Sequence, residues 1–227
     1  MGPHLCVTEE VRQLLRTCKK PKGLLQGDFL PELIPDLIDD TAPPLTKIPD
    51  EGRWQDVWKK EIVSIIPKCD NPETLGQTRN ISCTPIFSKV LEYLLLTRLK
   101  TEIMPRLNQF GGIKRSGTNH YLAEAWTNVL EALDQEGSVA SMVSVDFSKA
   151  FNTMSHQACI SFLERKEVSP NLIQAIRSFL TERTMCFKVG NSLSSSRKLR
   201  GGSPQGTILG NFLFILTTDE LELAERR

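Results

Sequence analysis

Asp146 closes an apolar run, Val139 to Val145, and an aromatic, Phe151, follows it five residues on. Alternation predicts a strand in which Val139, Val143, Val145 and Phe147 face one way and Met142, Ser144 and Asp146 the other. A carboxylate at the end of an apolar strand, followed by a turn carrying an aromatic, suits a metal-bound phosphate beside a sugar. A strand that ends in a solvated acid has the same pattern, so this stretch by itself leaves both readings open. Lys68 and Arg79 form a second group, each on one of two neighbouring extended segments, EIVSIIPK and TRNISC. Two cations so placed reach a single triphosphate, or are ordinary surface charge. The third group is Ser203-Pro204-Gln205-Gly206, a loop leading directly into an apolar helix. Gln205 and the backbone amides near Gly206 could touch a nucleotide or a base pair, and the plainer alternative is a loop that caps a core helix.

Two further stretches are candidates for nucleic-acid contact. Arg197, Lys198 and Arg200 are the most basic patch of the chain, beside the Gln205 loop, where a strand of phosphates would pass. Gln109-Phe110-Gly111-Gly112 reads as a turn whose glycines let backbone approach a nucleic acid closely, or as a turn and nothing more.

The elements that must position these groups follow from periodicity. Val11, Leu14, Leu15 and Cys18 predict an amphipathic helix over 8–19. Prolines at 21, 31, 35, 43, 44 and 49 predict a connector with one or two helical turns near Leu33 to Ile38. Trp54, Val57 and Trp58 lead into the first strand, and Phe87, Val90, Leu91 and Leu94 predict a packing helix to about Thr101. Over 118–135, Leu122, Ala125, Trp126, Val129 and Leu133 predict a helix facing a core, with Gly137 as its stop. Helices are expected over 155–166 and, from the start signal Ser169-Pro170, over 170–181. Two short strands joined at Gly190-Asn191-Ser192 follow, and then a last helix burying Leu209, Phe212, Leu213 and Leu216.

Composition sets wider bounds. The 227 residues are 40% hydrophobic and 24% charged, enough for a sizeable core in one or two subdomains, and the net charge of +1 gives little support of its own to nucleic-acid binding. Six scattered cysteines without a Cys-x-x-Cys pair, and three histidines, argue against a zinc site and for reduced thiols with no disulfide partner. No run resembles a signal peptide or a membrane span, so an intracellular, non-secreted protein is expected, in cytoplasm or nucleus.

Taken together, the Asp146 strand with its aromatic and the Pro-Gln-Gly loop resemble the reverse transcriptases of non-LTR (LINE-type) retrotransposons, over roughly residues 45 to 220. The resemblance implies an α+β fold: fingers and part of the palm of a right-hand polymerase, helix-rich with small antiparallel sheets. It divides the chain into an N-terminal helix and proline-rich connector (1–52), fingers (53–137) and partial palm (138–227). It implies RNA-directed DNA polymerase activity, a nucleotidyl transfer, with two Mg²⁺ or Mn²⁺ ions, an RNA template, a DNA primer and deoxynucleoside triphosphates. By resemblance Asp146 is catalytic and, with Phe147, at the metal site. Lys68, Arg79, Phe151, Gln205 and Gly206 would bind nucleotide, and Gln109, Gly111, Arg197, Lys198 and Arg200 nucleic acid. Three departures stand out: Asn80 replaces the family's proline after the arginine, Asn152 stands where Asp is common, and no aromatic-x-Asp-Asp run occurs in the sequence. Without those acids the 227 residues read as a truncated, inactive piece. A non-catalytic nucleic-acid-binding remnant and an RNA-dependent RNA polymerase remain as other readings. Phe151 argues against the second, because an aromatic there blocks a ribose 2′-hydroxyl.

Overall fold

The computed structural model describes residues 7–17, 34–105, 109–147 and 150–219. In chain order the helices are α1 (Thr8–Thr17), α2 (Ile34–Asp50), α3 (Ile86–Glu102), α4 (Thr118–Leu133), α5 (Ala150–Thr153), α6 (His156–Arg165), α7 (Pro170–Leu180) and α8 (Ile208–Thr218). The strands are β1 (Lys60–Pro67), β2 (Thr78–Cys83), β3 (Thr184–Val189), β4 (Ser192–Leu193) and β5 (Arg197–Lys198). Cys18 and residues 20–33 of the expected connector lie outside the described residues, as do Ser148 and Lys149 after the Asp146 stretch.

The hydrophobic core is built from α3, α6, α7 and α8, with α1 and α2 laid against it. Helical spacing accounts for the buried faces: Val90, Leu91, Leu94 and Leu95 on α3, Leu172, Ile176 and Phe179 on α7, Leu209, Phe212 and Leu216 on α8. The expected one or two turns near Ile38 are instead a helix of 17 residues reaching Asp50. Pro35 sits in its first turn, where no intrahelical N–H is needed, and the exposed Pro43 and Pro44 fall opposite a buried stripe of Ile34, Ile38, Ala42, Leu45 and Ile48. Burial of that stripe against α1, α3 and α7 outweighs the about 3 kcal/mol that an interior proline costs.

A mixed sheet lies beside the helices in the order β2-β1-β3-β4, with β5 also on β3. β1 and β2 are antiparallel, with Ile65 opposite Asn80, but β1 and β3 run parallel, with Ile62 beside Cys186. The small sheets expected to be antiparallel are therefore one sheet of both kinds. A parallel pair needs a long crossover, and the stretch between Cys83 and Thr184, containing α3 through α7, supplies it. A strand from the stretch read as fingers and one from the stretch read as palm thus share a sheet.

Two expectations fail in the middle of the chain. Residues 138–147 form no strand, and Val139 (88% exposed), Val143, Val145 and Phe147 all face outward. No described strand pairs with this stretch, so no ladder takes up its backbone N–H and C=O groups. α4 forms as its periodicity predicts, yet it buries no residue: Trp126, read as core, is 61% exposed, and Leu122 and Leu133 are also open. No described helix is long and apolar enough to cross a membrane.

Candidate functional site

One face of the sheet carries Glu61 and Val63 of β1, Asn80 and Ser82 of β2, and Met185 and Phe187 of β3, the alternate residues of three paired strands. Across from it stands the segment from Leu199 to Gln205, with Phe151 and Asn152 of α5. The loop is held in place at four points. Ser82 N donates to Gln205 O at 2.8 Å, Ser203 N to Phe151 O at 2.8 Å and Gly202 N to Met154 O at 2.9 Å, while His156 Nε2 lies 2.6 Å from Gly202 O. Gly202 is required here: its φ is +79°, and a Cβ would come within 2.9 Å of the Asn152 backbone. Gly206, at φ +101°, turns the chain into α8, where Thr207 Oγ1 accepts from Gly210 N at 3.3 Å as the helix cap.

This closure draws together residues that are far apart in sequence. An outer cavity of about 280 Å³ is lined by Lys68, Arg79, Phe151 and Gln205, four of the five residues singled out for nucleotide binding, and by Asn80 and Asn152. Lys68 Nζ donates to Gly76 O at 3.0 Å, which turns the ammonium toward the β1–β2 connection. The Phe151 ring also packs on Phe214, with centroids 5.1 Å apart, so it is both a wall of the cavity and part of the packing of α8. An inner cavity of about 170 Å³, reaching Glu61, shares Asn80, Phe151, Asn152 and Gln205 with the outer one. Sequence reasoning did not place Asn80 and Asn152 in the site. For Asn80 the signal was strand alternation with Ser82, which puts two polar side chains on the same sheet face.

Other candidates stand apart. Asp146 is exposed on the unpaired 138–147 stretch, and Phe147 meets Phe214 edge-on with centroids 6.3 Å apart. Among the described residues no three His, Cys, Asp or Glu side chains gather as a metal site, so the donors present do not fit two ions. Gln109 Nε2 donates to Gly111 O at 3.0 Å, closing its turn on itself, and the following Gly112 (φ +71°) packs on Ile215 and Asn211 of α8. Arg197 and Lys198 are exposed on β5, and Arg200 is exposed just beyond it. Lys198 pairs with Glu182 at 2.7 Å, a contact that raises the lysine pKa and lowers that of the glutamate.

Residues 66–224 match the reverse transcriptase (RNA-dependent DNA polymerase) family. The chain is 28% identical to the RNA-directed DNA polymerase from mobile element jockey of Drosophila melanogaster, over 94% of this chain and 24% of that protein. It is 29% identical to a probable RNA-directed DNA polymerase from transposon BS of the same fly, over 72% of this chain and 18% of that protein. To the jockey polymerase of Drosophila funebris it is 28% identical, over 70% of this chain and 18% of that protein. The chain thus spans about a quarter or less of the relatives it matches. A cleft that joins the Pro-Gln-Gly loop to the two strand cations, and a family match covering most of the chain, lead to one assignment: the chain belongs to the reverse transcriptase family, among the enzymes of non-LTR retrotransposons.

Proposed function

We propose that this chain is the nucleotide-gripping part of an RNA-directed DNA polymerase encoded by a retrotransposon. The observation that carries the reading is the outer cavity, where Lys68, Arg79, Phe151 and Gln205 converge from four separate segments. The two cations neutralise and orient the triphosphate of a deoxynucleotide, Arg79 by its fixed fork of donors and Lys68 as a point charge. Phe151 lies against the sugar and excludes a 2′-hydroxyl, while Gln205 and the backbone near Gly206 contact the nucleotide from the adjoining loop. RNA template and DNA primer run past Gln109, Gly111, Arg197, Lys198 and Arg200, whose hold on phosphate falls as salt rises. The complete enzyme works inside the cell with two Mg²⁺ or Mn²⁺ ions. Asp146 and Phe147 are the metal position indicated by this sequence, and no aromatic-x-Asp-Asp run that would add the partner acids occurs in it.

The test is deoxynucleoside triphosphate affinity of the 227-residue chain and of its Arg79→Ala and Lys68→Ala variants. Loss of roughly 1–3 kcal/mol on Arg79→Ala is expected for a charge-assisted hydrogen bond, and unchanged affinity overturns the assignment. A second reading, a binding remnant without catalysis, is favoured by Asp146, which is exposed and belongs to no metal-binding group of three side chains among the described residues. Primer extension by a longer polymerase that carries this chain separates the two.

A further inference from the structure

The loop that carries Gln205 is clamped at both ends of one peptide plane. The Gly202 carbonyl and the Ser203 N–H belong to the same peptide unit, and each meets the short stretch from Phe151 to His156. Ser203 N donates to Phe151 O at 2.8 Å, and Gly202 O lies 2.6 Å from His156 Nε2. A carbonyl oxygen only accepts, so Nε2 carries the hydrogen and the ring is the donor. Gly202 N adds a third bond, to Met154 O at 2.9 Å. Two of these three bonds run from backbone to backbone and need no particular side chain. The third exists only because residue 156 is a histidine.

The ring stands on a firm mount. His156 is the first residue of α6, whose start is fixed by its cap, Ser155 Oγ accepting from Ala158 N at 3.2 Å, and whose Cys159, Ile160, Phe162 and Leu163 are buried. The loop is anchored separately on its other side, where Ser82 N donates to Gln205 O at 2.8 Å and Ser203 Oγ donates to Gly210 O at 3.3 Å. Between these anchors lies Gly202, a buried residue at φ +79° with no Cβ to stiffen it. Take away the ring, and the buried Gly202 carbonyl loses its donor while the peptide plane is left to turn about its remaining bond. Such a turn carries the Ser203 N–H away from Phe151 O, and Phe151 and Gln205 both line the two cavities.

We infer that His156 is a positioning residue: by holding the Gly202 carbonyl it fixes where Phe151 stands relative to Gln205, and so sets the preference of the cleft for a deoxyribose over a ribose. A wall discriminates against one extra hydroxyl only as far as it does not yield. The sugar preference rests on the nucleotide reading of the cleft; the clamp on the peptide between Gly202 and Ser203 does not.

The experiment uses the 227-residue chain and two polar variants that differ in reach. In His156→Gln the side-chain amide can stand where Nε2 does and donate to Gly202 O, whereas in His156→Asn it is one carbon shorter and stops short. The first readout is hydrogen exchange at the Ser203 amide, which His156→Asn is expected to speed about tenfold and His156→Gln to leave slow. The second is the ratio of affinities for deoxyadenosine triphosphate and adenosine triphosphate. It is expected to fall about fivefold in His156→Asn and to stay within about twofold of wild type in His156→Gln. A Ser203 amide that exchanges alike in wild type and His156→Asn overturns the clamp. Weaker binding of both nucleotides at an unchanged ratio means that the ring only supports the fold, and overturns its part in sugar choice, as does a ratio that His156→Gln fails to preserve. A wild-type chain that takes up neither nucleotide overturns the nucleotide reading and the sugar preference with it, while Ser203 protection lost in His156→Asn alone still supports the clamp.

Discussion

Residues 150–219 and residues 118–147 are neighbours in sequence and opposites in structure. The first region buries Phe162, Leu163, Leu172, Ile176, Phe179, Leu209 and Leu213 almost completely, and its loop is tied at four points to the sheet and to the stretch from Phe151 to His156. The second contains a well-formed helix and an apolar stretch, yet not one buried residue. Local sequence is equally persuasive in both. Amphipathic spacing makes a helix possible, but burial needs a second surface, and the ring contacts of Tyr121 with Phe110 and of Phe147 with Phe214 bury no residue of α4 or of the 138–147 stretch. The cleft lined by Lys68, Arg79, Phe151 and Gln205 is assembled because its supports lie within the described chain. Asp146, the residue with the clearest chemical motif, is not, because the strand meant to carry it has no neighbour.

The largest expected effect is all or none. Residues 1–227 alone are expected to give no template-dependent primer extension with Mg²⁺ or Mn²⁺, since one carboxylate cannot hold the two ions of nucleotidyl transfer. Synthesis by this chain that disappears in Asp146→Ala would show that the exposed region is already competent and would dissolve the contrast.

Next comes stability. Phe179→Ala is expected to destabilise the chain by about 3–5 kcal/mol in urea unfolding, because it empties a packed site under Trp54 and Arg183. Trp126→Ala, for all its size, should change stability by no more than about 0.5 kcal/mol. Equal losses at the two aromatics would mean that α4 is packed after all. Between these lies Gly202→Ala, expected to cost about 1–3 kcal/mol through its positive φ and its approach to the Asn152 backbone. That loss should come with weaker nucleotide binding, whereas Gly137→Ala, at a similar φ with no atom within 4 Å of an added Cβ, should affect stability alone.

A smaller effect concerns sugar choice. In a longer polymerase carrying this chain, Phe151→Val should raise ribonucleotide use relative to deoxyribonucleotide by shortening the wall against the sugar. If the ratio stays fixed, the ring serves only its contact with Phe214. The smallest is Lys198→Ala: its partner Glu182 is on the surface and the pair is exposed, so stability should hold while affinity for single-stranded nucleic acid at low salt declines slightly.

What the sequence determined by itself is local. The 3.6-residue spacing and start signals marked α1, α3, α4, α6, α7 and α8 to within a few residues, apolar and extended runs with turn residues marked β1, β2 and β3, and residue types with the family resemblance singled out Lys68, Arg79, Phe151 and Gln205. Tertiary structure decided everything that depends on a partner distant in sequence. It carried α2 through its prolines, because a buried stripe met three other helices. It paired β1 with β3 in parallel across more than a hundred residues, and brought Glu61 and Arg183 into one buried ion pair. It also left Val139 to Phe147 unpaired and Trp126 in solvent, although their patterns matched those of buried elements. A period describes the face a segment offers, and only a second surface, folded against it, determines whether that face is covered.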